Sequence, residues 1–221
     1  TSSLLKLLWR FFILIFSLIK IINTGYINGL DSSNPLSYSS YIIKILSIAI
    51  YSISLMITYT ISCIYHALKR NNGKKVLRII DHDTVYLLIS GTYTPYCLIS
   101  LRNVKLYNII PYSGYIILAI VYILIILGIV FNSININKFK ILSFIMYIVS
   151  GWMIIFEAKE LLNIIGFNGF ILLLMGGISY TLGSILYGIG SKKSVWFHTV
   201  FHIFVLIGTI LQFVSIYLYV I

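Results

Sequence analysis

A bundle of seven transmembrane helices, all-α, with its N-terminus inside and its C-terminus outside, is predicted by three observations. The 221-residue chain is 60% hydrophobic and only 10% charged, and its mean hydropathy is +1.01. An average soluble domain is about 25% charged. Apolar runs of about 20 residues, the length a helix needs to cross a bilayer, recur along the whole chain. The polar–apolar alternation of a transmembrane barrel is absent.

Taken in order, the spans are read at about residues 4–28, 41–66, 80–101, 110–131, 139–156, 167–190 and 196–220 of a single domain covering 1–221. The first is interrupted by Arg10 and Lys20 and lacks a small-residue cleavage site, so no cleavable signal peptide is expected. The segments DSSNPLSYSS and KRNNGKKVLR, after the first and second spans, are rich in turn residues and are read as linkers. In the third span, Pro95 closes the stretch GTYTP and predicts a kink about midway. The sixth carries Gly176, Gly177, Ser179, Gly183 and Ser184, which permit close approach of a neighbouring helix. The seventh opens on WFHTVFH, residues 196–202.

The formal net charge is +11. In a soluble chain that would point to nucleic acid. Here the basic residues cluster in short loops, where they set topology and touch anionic headgroups, and no nucleic-acid partner is expected. One side holds Lys6, Arg10, Lys69, Arg70, Lys74, Lys75, Arg78, Lys138, Lys140, Lys192 and Lys193; the other holds Arg102, Lys105 and Lys159. That asymmetry places the N-terminus inside. An odd number of spans then puts the C-terminus outside.

This orientation brings four ionisable residues to one depth. His66 ends the second span, Asp81 begins the third, and His198 and His202 begin the seventh, all on the inner side. His198 and His202 are four residues apart and share a helix face. Two such imidazoles can bind one metal ion, and His66 would complete a three-histidine set with one tetrahedral position open. Asp81 could then take a proton from a water bound there. Ser62, one turn before His66, could bond that water or a substrate carbonyl, or else its own helix carbonyl. The plainer alternative for the histidine pair is a polar contact between helices. A third histidine and a carboxylate at matched depth favour the metal.

Neighbouring residues are weaker candidates. Consecutive positions on a helix face different ways, so only one of Asp81, His82 and Asp83 is expected to aim inward with full reach, and His82 is read as interfacial. Glu157 and Glu160 fall on the outer side and are set aside as ligands. Cys63 and Cys97 are read as small apolar fillers. The position of Cys63, three residues before His66, keeps a sulfur ligand open.

The segments SCIYH (62–66), IDHDTVYLLISGTYTP (80–95), MGGISYTLGSILY (175–187) and WFHTVFHIFVLIG (196–208) together resemble the hemolysin III family, within the progestin and adipoQ receptor group. The resemblance covers about residues 41–215. It implies seven helices, an inside N-terminus and a zinc ion held near the inner face by His66, His198 and His202. Asp81 would hold the zinc-bound water, with Ser62 behind it. Gln212 stands where many members carry a third histidine or another polar residue.

The function expected is that of an integral, multi-pass membrane hydrolase, zinc-dependent, cleaving a lipid amide. The resemblance implies a ceramide-type substrate. Two other readings stand beside it: a membrane-lysing, pore-forming hemolysin, and a receptor in which zinc is structural. A pore needs a polar lining, and the spans carry few charges. The short outer loops argue against a large protein ligand.

Overall fold

The computed structural model describes residue 20 and residues 35–69, 71–105, 112–136, 138–190 and 195–221. The expected first span, apart from Lys20, lies outside them. Every regular element among the described residues is helical. We number the α-helices α1 (Pro35–Ala67), α2 (Asn72–Pro95), α3 (Ser113–Ile134), α4 (Lys140–Trp152), α5 (Ala158–Gly190) and α6 (Val195–Ser215). They correspond to the expected second to seventh spans. Short π-helical turns, Tyr96–Ser100 and Ile216–Val220, extend α2 and α6, and a 3-10 turn, Met153–Glu157, joins α4 to α5.

Four described helical stretches are long and apolar enough to cross a membrane: Ser39–Ala67, Ser113–Ile134, Ile141–Leu186 and Val200–Val220. The third of these has 46 residues, about twice the ~20 that one crossing uses. It is broken at Gly166, whose φ of +72° and ψ of 170° are non-helical. Glycine takes that conformation without penalty. The break lies one residue before the expected sixth span. Helix α2 is absent from the four, because Lys74, Lys75, Arg78, Asp81 and Asp83 fill its first half.

Burial is distributed as it is when lipid is the solvent. Large apolar side chains such as Leu46, Ile53, Ile123, Ile126 and Ile141 are exposed, while Ser47, Ser54, Thr58, Thr92 and Thr94 are buried. In a bilayer the outer face must be apolar, and polar groups are satisfied between or within helices. Thus Ser47, Thr58, Thr92 and Thr94 each donate to the backbone carbonyl four residues earlier.

The described residues form two compact units, Gly151–Val220 and the part of the chain within Thr1–Ser150, with Ile221. In the first part of the chain, α1 and α2 run antiparallel. Going up α1, Ser54, Thr58 and Ser62 meet Gly91, Thr84 and Asp81 going down α2. Helices α2 and α3 are likewise antiparallel, with Asp83 against Asn132, Tyr86 against Gly128 and Thr94 against Tyr122. Tyr86 also reaches α4, donating its hydroxyl to the Ser143 carbonyl at 3.1 Å and stacking on Tyr147 at 4.0 Å between ring centroids.

In the second unit α5 and α6 pack antiparallel through the small residues. A Cβ on Gly176 would stand 2.6 Å from Gln212 and 3.1 Å from the Gly208 carbonyl, and one on Gly183 would stand 2.8 Å from Phe204. Ser179 donates to the Phe204 carbonyl at 2.7 Å, Tyr180 bonds Thr209 at 2.9 Å, and Ser215 donates to the Gly169 carbonyl at 2.8 Å. The packing role expected of this stretch is therefore seen, although a Cβ on Gly177 would meet nothing within 4 Å.

Three local expectations are revised. The second half of the segment DSSNPLSYSS, from Pro35, is helix rather than linker, so α1 starts six residues earlier than expected. The segment KRNNGKKVLR is mostly helix rather than linker, because Asn71 caps α2 by accepting the Lys74 N–H at 2.8 Å. Helix α2 therefore starts eight residues earlier than expected. At Pro95 the α-helix ends and the chain continues as the π-turn Tyr96–Ser100. That turn is crossed closely by Gly114, where a Cβ would collide with the Cys97 carbonyl.

Candidate functional site

Local chemistry holds the tight turn between α1 and α2. The Lys74 ammonium donates to the Leu68 carbonyl at 2.6 Å, just beyond the end of α1, and lies 5.2 Å from the centre of the Tyr65 ring. A cation at a helix C-terminus meets the negative end of the macrodipole. This turn sets the last residues of α1 beside the first turns of α2.

Across that junction the Ser62 hydroxyl donates to the Asp81 carboxylate. Both side chains are half-buried. Two of the residues singled out from the sequence thus form a direct contact between helices. His66, one turn beyond Ser62, lies in the last turn of α1 and is exposed. Just past Asp81, Thr84 donates to the Asp81 carbonyl at 2.7 Å, and the Thr58 hydroxyl lies 2.9 Å from the Thr84 carbonyl. Buried hydroxyls therefore continue the seam below the carboxylate.

His198 and His202 both lie on α6, one turn apart on a continuous helix. His202 is half-buried. The His198 side chain lies outside the described residues. Among the described residues no three His, Cys, Asp or Glu side chains gather as a metal-binding set. The proposed ligand set includes His198. Ser62, His66 and Asp81 belong to the first compact unit, and His198 and His202 to the second.

Asp83 behaves differently from its expected place. It accepts from Asn132 Nδ2 at 2.6 Å and from Ser133 Oγ at 3.3 Å. So Asp81 and Asp83 both reach a neighbouring helix, in opposite directions, rather than one alone facing inward. His82, between them, is half-buried, and its carbonyl accepts the Tyr147 hydroxyl at 2.8 Å. The sequence carried a signal for the Asp83 contact: Asn132–Ser133 interrupts the apolar run at the end of the expected fourth span. Cys63 and Cys97 are free thiols, the second buried. Glu157 is buried, 3% exposed, in the 3-10 turn of the second unit.

With this geometry in place, comparison with known proteins decides the family. Residues 7–213 match the family described as Haemolysin-III related. The chain belongs to the hemolysin III family. Curated members include Hemolysin-3 of Bacillus cereus, 35% identical over 176 residues, which are 80% of this chain and 76% of that protein. The Hemolysin-3 homolog of Bacillus subtilis (strain 168) is 36% identical over 175 residues, 79% of this chain and 78% of its own. No solved structure matches the chain significantly. Membership in hemolysin III is consistent with the wider progestin and adipoQ receptor grouping. Together with the four apolar helices it makes the chain an integral, multi-pass membrane protein.

Proposed function

We propose that this hemolysin III protein is a zinc-dependent hydrolase of lipid amides of the ceramide type. The observation that carries the reading is the Ser62–Asp81 hydrogen bond, one turn from His66, at the junction of α1 and α2. An ionisable side chain within a membrane protein is costly and commonly marks function. The donor chemistry fits the metal: His66, His198 and His202 offer three neutral imidazoles, a set that suits zinc and leaves one coordination position for chemistry. Bound by them, zinc would supply a Lewis acid for the amide carbonyl and a water acidified toward neutrality.

The chain's own groups then do the rest. Asp81 accepts the proton of the attacking water and returns it to the leaving amine. Ser62 donates to Asp81 and so holds one carboxylate oxygen, leaving the other for proton transfer. The exposed apolar faces of the helices suit a long-chain substrate arriving from the bilayer. Purified protein should release fatty acid from a ceramide in mixed micelles. Loss of that release on Asp81→Asn, with the elution profile unchanged, would support these roles for Asp81 and Ser62. Equal turnover in the variant would rule them out.

The name Hemolysin-3, borne by the relatives, favours membrane lysis as the second reading. Direct lysis predicts dye leakage from vesicles of pure phosphatidylcholine, which contain no amide-linked acyl chain, and predicts that His198→Ala leaks as well as wild type. Leakage confined to vesicles containing the cleavable lipid would instead follow from hydrolysis.

A further inference from the structure

We propose that Asp83 is a positioning residue, which with Asn132 and Ser133 sets the rotation of α2 and thereby aims Asp81 at Ser62. Its chemical consequence rests on the hydrolase reading above; its geometry does not.

Asp81 and Asp83 are two residues apart, about 200° around a helix axis, so they point to nearly opposite sides. The structure uses both. Asp81 meets Ser62 of α1, and Asp83 meets Asn132 and Ser133 of α3. Between them, Tyr147 of α4 donates to the His82 carbonyl. Three consecutive residues in the first half of α2 are thus tied to three different helices. A helix held on one side only can roll about its axis. Held by α1 and α3 on opposing sides, it cannot roll without breaking a charge-assisted hydrogen bond, which is among the stronger kinds. Asn132 is 1% exposed, so its amide has no water to turn to if Asp83 is removed. Loss of alignment at a reacting group is expensive: a displacement of about 1 Å can cost about 100-fold in rate.

The rotation is read directly by cross-linking. In a Cys63→Ala/Cys97→Ala background, Ser62→Cys and Asp81→Cys place two thiols where the Ser62–Asp81 contact stands, and mild oxidation joins them if they face each other. The disulfide yield is expected to be high in this parent and to fall about tenfold when Asp83→Ala is added, the effect of losing a hydrogen bond to a charged group. Asp83→Asn, which keeps an acceptor oxygen, should restore most of the yield. Asn132→Ala should match Asp83→Ala, and the two together should do no more than either. If Asp83→Ala does not fold, Asn132→Ala, which leaves the carboxylate in place, carries the same comparison. Equal yield with and without the Asp83 contact overturns the proposal. So does a yield lost as fully in Asp83→Asn, or a parent pair that never cross-links.

In the chain with Ser62 and Asp81 intact, Asp83→Ala should lower ceramide kcat about tenfold with KM and bound zinc unchanged. Absence of any lipid-amide turnover in wild type would sink the hydrolase reading and leave the cross-linking result to stand by itself.

Discussion

At the scale of the residue, the proposed chemistry centres on one hydrogen bond. Ser62 donates to Asp81 across the α1–α2 junction, and His66 stands one turn away. If Asp81 moves the proton, Asp81→Asn should lower turnover by about 10²–10⁴, the usual contribution of a general acid–base, while the protein elutes and melts as before. Steady-state hydrolysis beside a thermal melt checks both halves. Ser62→Ala should cost about tenfold or somewhat more, since it removes one bond to a charged group. Asp81 stood out beforehand because the loop charges put it at the depth of His66, and Ser62 because it lies one turn from His66; the contact between Ser62 and Asp81 was not read from the sequence. Asp83 was less legible. Helical periodicity says that positions 81 and 83 diverge, but it does not say that a second helix waits on the far side. That needed Asn132, whose meaning depends on how closely α3 approaches α2.

At the scale of the element, small residues decide which helices meet. Gly208 sits where a Cβ would stand 2.8 Å from the Tyr180 ring and 3.0 Å from the Gly176 carbonyl, so α5 and α6 approach almost backbone to backbone. Gly208→Ala should therefore destabilise the protein by about 1–3 kcal/mol, the cost of overpacking. Gly177→Ala, with open space around it, should leave the melting temperature unchanged or slightly raised, because alanine is the better helix former. A thermal melt of the two variants in the same detergent separates them. The sequence patch announced close packing without naming the partner, which only the tertiary contacts supply. Helix ends were harder still. KRNNGKKVLR has linker composition, yet one capping hydrogen bond, from the Lys74 N–H to the Asn71 side chain, is enough to begin α2 inside it. The Gly166 break, by contrast, falls one residue before the sixth span read from the sequence.

At the scale of the whole molecule, the membrane explains the distribution of side chains. Many isoleucines and leucines face outward while hydroxyls such as Ser47, Ser54 and Thr94 are buried, as expected when lipid replaces water. The class of the protein was legible because 60% hydrophobic content in recurrent runs has few other solutions. The direction of the crossings rests on loop charge, and it is tested by labelling. With the N-terminus inside, a cysteine introduced as Lys105→Cys in a Cys63→Ala/Cys97→Ala background should react with a membrane-impermeant maleimide on intact cells, and Lys138→Cys should react only after permeabilisation. The zinc ion is the claim on which the proposed function turns. The most direct measurement is metal content per chain in detergent-purified protein, wild type beside His198→Ala/His202→Ala. The account predicts about one zinc per chain, lost in the double variant. A well-folded wild type that holds no metal even after zinc is supplied would contradict it.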